Sequence, residues 1–247
     1  MLVAGFDAGQ TSTRCRVCRW QEDGWQIIGE GSGPGVSHLE ASGGAERFRQ
    51  AVLTSLKSAS EGEGERKLDA AVIGASGIEQ GSALQPRATA LLSDALALPE
   101  DRVLATGDER TALRGAFPEG DGIILISGTG MICLGRDHQG KEHRCGGWGW
   151  MLDGAGSAFD LGHQGLQLTL QMADGRRPDH PLRQRMWKQL GCRSHADVKA
   201  WVVQPSRTAA DLAALAPLLV AAADAGLPAA QDILQRSAAA LVSCAAT

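Results

Sequence analysis

Asp7-Ala-Gly-Gln-Thr-Ser-Thr13 and Ser127-Gly-Thr-Gly130 are the two stretches that decide the fold of this chain. Each follows an apolar run, Leu2 to Phe6 in the first case and Gly122 to Ile126 in the second, and each precedes another strand-like run. Glycine in such a turn permits positive φ and brings backbone N–H groups close to an anion. The pattern predicts two strand-turn-strand units, each able to hold phosphate.

Polar side chains give these turns further chemistry. Asp7 repels a phosphate directly, but its carboxylate can hold a hydrated Mg²⁺ that bridges phosphate oxygens. Either turn alone is as consistent with an ordinary hairpin, because a single glycine-rich turn is a weak signal. Two in one chain favour a nucleotide. The hydroxyls that can donate to phosphate are those of Thr11, Ser12, Thr13, Ser127 and Thr129.

Composition narrows the functional classes. The 247 residues carry a formal net charge of -4, so the chain lacks the basic footprint of a nucleic-acid-binding protein. The apolar start from Met1 to Phe6 is too short for a signal peptide, and no apolar stretch approaches the length of a membrane span. We therefore expect a cytoplasmic protein with neither nucleic acid nor membrane as partner.

The six cysteines do not form a recognisable framework. Cys15 and Cys18 make a C-x-x-C, but they lie inside an alternating strand rather than at the start of a helix. Cys145 has no companion at zinc-ligand spacing. We interpret all six as core or incidental residues.

The hydrophobic periodicity of the rest of the chain predicts an α/β protein in which a second series of strands begins at Gly122. After the opening hairpin, a polar loop from Glu61 to Lys67 separates two groups of elements. The predicted elements are a strand at Gly24 to Gly31, a helix at Ala45 to Ser60, a strand at Leu68 to Ile73, a helix at Pro86 to Leu98, a strand at Arg102 to Ala105 and a helix at Asp108 to Ala116. The restart at Gly122 suggests two lobes, residues 1–116 and 117–247, with a cleft between them.

The second lobe is predicted to be short of strands. Strands are expected at Gly122 to Ile126, Met131 to Gly135 and about Glu142 to Cys145. From about Ser157 to Thr247 the chain is helical in character and alanine-rich. Its prolines at positions 217 and 228 are best placed at helix starts. We therefore expect a second lobe that lacks its last strands.

Several ordered motifs resemble a known family. They are the first turn, Asp108 after Ala105-Thr-Gly107, the second turn, Gly146-Gly-Trp-Gly149, and Gly156-Ser-Ala158. Together they are similar to the N-acetylglucosamine and glucosamine kinases of the BadF/BadG/BcrA/BcrD ATPase group. That resemblance implies an actin-like, ribonuclease H-like, two-lobed fold that binds its ligands in a cleft. It also implies ATP and Mg²⁺ as cofactors and an amino sugar as substrate, phosphorylated at its 6-hydroxyl.

The resemblance assigns roles to residues of this chain. Asp108 is the general base, and Asp7 is the magnesium residue, acting through water. The first phosphate turn comprises Gly9, Gln10, Thr11, Ser12 and Thr13, and the second comprises Ser127, Gly128, Thr129 and Gly130. The sugar-contacting residues are Ser37, His38, Asp108, Gly147, Trp148, Gly149 and Asp153. A homodimer is left open. Without the resemblance, a helix N-cap is the favoured interpretation of Asp108, and Trp148 is as readily a core residue.

The chain also departs from the family pattern. Where the family has Gly-Asp-Glu-Gly after the Gly-Trp-Gly string, this chain has Asp153-Gly-Ala-Gly156, with the acid one position early. Met131 and Ile132 replace small or polar residues, and the loop at Ser37 lacks the family's asparagine. The resemblance further implies a later Gly-Gly turn that packs on adenosine, which we expect to be missing here.

Two other functions stay open at this stage. A non-catalytic sugar or nucleotide sensor would explain the altered sugar contacts. An ATPase activator with an iron-sulfur cluster shared by a dimer would need cysteine ligands, for which Cys145 lies in a plausible region.

Overall fold

The computed structural model describes residues 1–61 and 67–247, so most of the predicted polar loop lies outside the described residues. The chain forms two compact units, Met1–Glu119 and Gly120–Thr247. Each unit has its own cluster of buried apolar side chains.

The first unit is built on a five-stranded mixed sheet with the order β3-β2-β1-β4-β5. Strand β1 pairs antiparallel with β2 on one side and parallel with β4 on the other. Strict alternation in β1 buries Ala4, Phe6 and Ala8 and leaves Gly5 and Asp7 exposed. The strands are β1 (Leu2–Ala8), β2 (Ser12–Gln21), β3 (Gly24–Pro34), β4 (Ala70–Ala75) and β5 (Val103–Thr106).

The helices α1 (Gly44–Ala59), α2 (Leu84–Leu96) and α3 (Asp108–Ala116) complete the first unit. Helix α1 crosses β3 at close range, because a Cβ at Gly31 would lie only 2.2 Å from the backbone nitrogen of Ala59. The glycine content of β3 therefore reflects helix packing. The predicted helix over residues 108 to 116 is confirmed to the residue.

The second unit begins with an antiparallel meander of β6 (Gly122–Ser127), β7 (Met131–Arg136) and β8 (Glu142–Gly146). Among the described residues no strand follows β8, as the sequence predicted. The rest of the unit is helical, and the prolines at positions 217 and 228 occupy the first turns of their helices. The helices are α4 (Ala158–Ala173), α5 (Pro181–Gln189), α6 (His195–Val202), α7 (Ala209–Ala213), α8 (Ala216–Asp224) and α9 (Pro228–Ala245).

The helical core of the second unit is closely packed around α4. A Cβ at Gly162 would lie 1.9 Å from the carbonyl oxygen of Leu212, so α7 crosses α4 in direct backbone contact. The indole of Trp187 is buried and donates to the Thr169 hydroxyl at 3.0 Å.

Across residues 1–61 and 67–247, no single helix has the length and apolar character of a membrane span. The pair Ala209–Asp224 and Pro228–Ala245, bent by 118°, meets those criteria of length and composition only when taken together.

Candidate active site

The turn between β1 and β2 is closed by its own backbone. The Gly9 N–H donates to the Ser12 carbonyl at 3.0 Å, and the Val36 N–H donates to the Gly9 carbonyl at 3.0 Å. A Cβ at Gly35 would lie 2.2 Å from the carbonyl oxygen of Gln10. The segment after β3 therefore lies directly against the turn and supports it.

The residues of this turn divide between surface and core. Gln10, Thr11 and Ser12 are exposed, in keeping with a role as donors to a bound anion. Thr13 is fully buried, and its hydroxyl has no hydrogen-bond partner among the described residues. The strand period explains the difference, because Thr13 shares the core face of β2 with Cys15. Its hydroxyl is therefore kept away from the surface on which the other donors lie.

Asp7 and Asp108 are brought together by the packing of α3. Asp7 lies beside Gly74 in the parallel pairing of β1 with β4. The side chain of Thr111 fills the space over Gly74, where a Cβ would meet its hydroxyl at 2.1 Å. That hydroxyl donates to the Asp108 carbonyl at 2.8 Å. Glycine at position 74 thus lets α3 settle onto the sheet with its first residue near Asp7.

The electrostatics of Asp108 fit a group that binds a proton. Burial raises the pKa of Asp108, and the negative charge of Asp7 adds to that rise. The Glu109 N–H donates to the Asp108 Oδ1 at 3.1 Å, which offsets part of the effect. Asp108 is thus both a helix-terminal acceptor and a carboxylate poised to take up a proton.

Glu109 is a neighbour that sequence reasoning missed. Glu109 is only 6% exposed, and burial raises the pKa of its carboxyl group. The negative charge of the neighbouring Asp108 adds to that rise, and the Glu109 carboxylate pairs with Arg110 at 2.9 Å. The carboxylate lies over Gly107, where a Cβ would meet its Oε2 at 2.1 Å. An acid at a helix start usually indicates only dipole stabilisation, so nothing in the pattern marked this one as buried.

Ser37 and His38 lie in the loop between β3 and α1. The His38 imidazole is about half exposed and lies near the Glu40 carboxylate, with 3.9 Å between its Nδ1 and Oε2. Its ring also borders Gly77, where a Cβ would be 3.3 Å from the His38 Cδ2. The Ser37 hydroxyl is buried without a hydrogen-bond partner among the described residues. The loop is thus held beside the turn that follows β4.

In the second unit, hydrogen bonds with the segment that leads into α4 support the turn between β6 and β7. The Gly128 N–H donates to the Gly130 carbonyl at 2.9 Å, and the Ala158 N–H donates to the Gly128 carbonyl at 2.8 Å. The Ser127 hydroxyl donates to the Gly156 carbonyl at 2.8 Å. In this structure Ser127 therefore supports the turn rather than presenting a free donor. A Cβ at Gly128 or Gly130 would meet nothing within 4 Å, so the turn faces open space, with Thr129 between the two glycines.

Gly147, Trp148 and Gly149 follow β8, and the last two of them are exposed. Trp148 is 61% exposed, which excludes the core-packing interpretation. The Arg144 guanidinium lies 4.9 Å from its ring centre and donates to the Gly147 carbonyl at 2.7 Å. Both flanking glycines have positive φ, 76° and 92°. Arg144 therefore holds an indole face at the surface.

Asp153 folds back toward this segment. Its N–H donates to the Gly149 carbonyl at 2.9 Å, and its Oδ2 would be 3.3 Å from a Cβ at Gly146. The acid that stands one position early in the sequence thus lies beside the Gly-Trp-Gly string. In the part of the chain that the structure describes, no three His, Cys, Asp or Glu side chains are placed to hold a metal ion.

Two α/β units, each with a small-residue turn after its first strand, are the features of the actin-like fold class predicted from the sequence. A solved structure from Chromobacterium violaceum, provisionally named an N-acetylglucosamine kinase, is 29% identical. The match covers 99% of this chain and 81% of that chain, with a TM-score of 0.82. The chain belongs to the BadF/BadG/BcrA/BcrD ATPase family, whose model matches residues 4–247. The predicted fold class and the family resemblance are thereby confirmed.

Two curated kinases and a second solved structure are also similar to this chain. An N-acetylmuramic acid/N-acetylglucosamine kinase of Clostridium acetobutylicum is 32% identical over 114 residues, 46% of this chain and 37% of that protein. An N-acetyl-D-glucosamine kinase of Dictyostelium discoideum is 32% identical over 106 residues, 42% of this chain and 33% of that protein. The chain thus spans about a third of the length of the curated relatives it matches. A structure from Porphyromonas gingivalis, also provisionally named an N-acetylglucosamine kinase, is 21% identical with a TM-score of 0.71 over 96% of this chain and 77% of that chain, and shares the fold.

Proposed function

We propose that this chain belongs to an ATP-dependent kinase that phosphorylates an amino sugar, N-acetylglucosamine or glucosamine, at the 6-hydroxyl. The observation that carries the proposal is Asp108, a partly buried carboxylate with a raised pKa at the start of α3, within electrostatic range of Asp7. The names of the similar kinases support the substrate class.

Asp108 acts as the general base of the reaction. Its carboxylate accepts the proton of the sugar hydroxyl while the hydroxyl oxygen attacks the γ-phosphorus and ADP leaves. Groups in this role contribute roughly 10²- to 10⁴-fold to the rate. The raised pKa of Asp108 suits the task, because a base with a higher proton affinity takes up the hydroxyl proton more readily.

Phosphate contacts are assigned to each unit separately. In the first unit, Gly9 and the exposed Gln10, Thr11 and Ser12 bind phosphate oxygens, and in the second unit the backbone of residues 127–130 offers a further phosphate-binding turn. Asp7 would hold Mg²⁺ through water, and the ion would supply neutralisation of phosphate charge. The residues present fit this ion, because Mg²⁺ usually takes one or two carboxylates and keeps several waters. An exposed Asp7 beside Asp108 meets that requirement without a dedicated metal cage.

The sugar contacts come from three segments. The Trp148 indole offers an apolar face to the pyranose ring, and the backbone at Gly147 and Gly149 offers polar groups to its hydroxyls. Asp153 lies close enough to this segment to replace the family's displaced aspartate as a hydroxyl acceptor. In the first unit, Ser37 and His38 are assigned separately as candidate polar contacts to the sugar.

A coupled ADP-release assay over a panel of amino sugars and hexoses tests the proposal. The panel includes N-acetylglucosamine, glucosamine, N-acetylmuramic acid and glucose, each with Mg²⁺ and saturating ATP. We expect sugar-dependent ADP release with an amino sugar and phosphate on its 6-oxygen. Sugar binding without ADP formation would instead identify a sensor, and a brown, oxygen-sensitive protein would identify an iron-sulfur activator. Sedimentation of the same preparation tests for a homodimer.

A further inference from the structure

The carboxylate of Asp160, in the first turn of α4, joins three parts of the second unit. Its Oδ2 accepts the Gly156 N–H at 3.1 Å and the Ser237 hydroxyl of α9 at 2.9 Å. Its Oδ1 accepts the side-chain amide of Gln164, one turn further along α4, at 2.9 Å. Ser237 is only 5% exposed, so the contact with α9 is shielded from water. One carboxylate therefore ties together α4, α9 and the segment that precedes α4.

These contacts differ from those of an ordinary helix cap. Ser157 is the N-cap of α4, and its hydroxyl accepts the Asp160 N–H at 3.1 Å. In a capping box, the acid at this position accepts the backbone N–H of the N-cap residue. Here the Ser157 N–H donates to the Gly154 carbonyl at 3.0 Å, and the Asp160 carboxylate bonds the Gly156 N–H. Asp160 thus fixes a residue that lies outside the helix.

Gly156 connects Asp160 to the second phosphate turn. The Gly156 carbonyl accepts the Ser127 hydroxyl at 2.8 Å. Two residues later, the Ala158 N–H donates to the Gly128 carbonyl at 2.8 Å. Gly156 has a positive φ of 85°, a backbone conformation that residues with a Cβ rarely adopt. The N–H of Gly156 is therefore held by Asp160, while its carbonyl holds the turn.

We propose that Asp160 is a positioning residue for phosphate binding in the second unit. Backbone N–H groups bind an anion best when they already point toward it and need no reorganisation. Asp160 fixes Gly156, and Gly156 fixes Ser127, so the turn is kept in one conformation and loses less entropy when phosphate binds. This role rests on the proposed function, which assigns ATP phosphates to that turn.

Hydrogen–deuterium exchange and titration with ATP and Mg²⁺, both on the full chain, test this role in Asp160→Ala. The substitution removes the acceptor of the Gly156 N–H, so peptides that cover the turn and the start of α4 should exchange faster. The Kd for ATP should rise by about tenfold, in line with the loss of a hydrogen bond to a charged group. The KM for sugar should change by less than about twofold, because the substitution acts on nucleotide binding.

Asp160→Asn is the conservative variant. It keeps a side-chain oxygen that can accept the Gly156 N–H, so exchange and ATP binding should change in the same direction as in Asp160→Ala but by less. It also decides the matter if the Ala variant does not fold.

Asp197→Ala is the matched control. Asp197 occupies the same position in α6, and its Oδ2 accepts the N–H of the N-cap residue Ser194 at 2.9 Å in an ordinary capping box. Both Ala variants therefore lose a carboxylate from the first turn of a helix in the second unit. Asp197→Ala should lower the free energy of unfolding without changing exchange at the phosphate turn or the Kd for ATP.

Unchanged exchange at the turn in both Asp160 variants would overturn the proposal, and so would faster exchange with an unchanged Kd for ATP. Equal effects in Asp197→Ala would also overturn it, because they would reflect a general loss of stability. Weaker ATP binding by Asp160→Ala, in a chain that phosphorylates no sugar, would refute the proposed function and support the role of Asp160. A wild-type chain that binds no ATP would overturn both.

Discussion

Replacing Asp108 by Asn removes the proposed base while leaving its structural contacts in place. The amide oxygen of Asn still accepts the Glu109 N–H, which donates to the Asp108 Oδ1 at 3.1 Å. The Asp108 backbone carbonyl still accepts the Thr111 hydroxyl at 2.8 Å. What is lost is the ability to take a proton from the sugar hydroxyl. We therefore expect sugar-dependent ADP release to fall by roughly 10²- to 10⁴-fold, equivalent to about 3–5 kcal/mol of transition-state stabilisation.

Folding stability should move in the opposite direction from activity. Because burial and Asp7 raise the pKa of Asp108, the ionised side chain is a cost to the folded state at neutral pH. The neutral Asn removes that cost, so the free energy of unfolding is expected to be unchanged or higher.

The assay measures ADP release against sugar concentration, with urea unfolding on the same preparations. Asp94→Asn is the matched control, because Asp94 is exposed on α2 and makes only a 3.7 Å ion pair with Arg49. It should retain the wild-type rate. Full activity in Asp108→Asn would refute the assignment of the base, and equal losses in both variants would show that the effect is not specific to this site.

Three further predictions concern packing, sugar contact and pH. Gly162→Ala places a Cβ 1.9 Å from the backbone carbonyl oxygen of Leu212 and should cost about 1–3 kcal/mol in urea unfolding. Gly115→Ala in α3 meets nothing within 4 Å and should gain about 0.5–1 kcal/mol. Trp148→Ala should change the free energy of unfolding by less than about 0.5 kcal/mol, because the side chain is exposed. It should raise the KM for sugar by about tenfold, because the indole face is lost. An unchanged KM would show that Trp148 does not contact the sugar. Glu109→Gln tests the buried acid by pH. The pKa of Glu109 is raised in the folded chain, so that group stabilises the fold below its unfolded pKa and loses this contribution as pH rises toward the folded pKa. Unfolding of the wild-type chain between about pH 4 and neutral pH should therefore show a steeper loss of stability than that of the Gln variant, and parallel curves would contradict the raised pKa.

Local sequence patterns predicted most of the secondary structure. The alternation in β2 and the helix over residues 108 to 116 follow from side-chain period and from the small residues that bound them. The same reasoning placed Pro228 at a helix start, because proline lacks the N–H that the first turn does not need. Ordered glycine motifs were enough to indicate the family, since each demands a particular backbone conformation.

Three-dimensional packing decided what these patterns could not. Thr11 and Thr13 are alike in sequence, yet Thr13 lies on the core face of β2 and is buried, whereas Thr11 lies in the turn before that strand and is exposed. The Ser127 hydroxyl is engaged by Gly156, a partner that no local pattern reveals. Glu109 became a buried acid only because α3 folds onto the sheet next to Gly74.

The sequence by itself determined the two α/β units, their small-residue turns and the family, because these depend on periodicity and backbone freedom that are encoded locally. Only the tertiary structure decided which groups meet. Asp7 and Asp108 interact because β1 and β4 pair in parallel beneath α3. Proximity between distant residues is set by the packing of whole elements, so the electrostatics of this protein emerge only when the chain is folded.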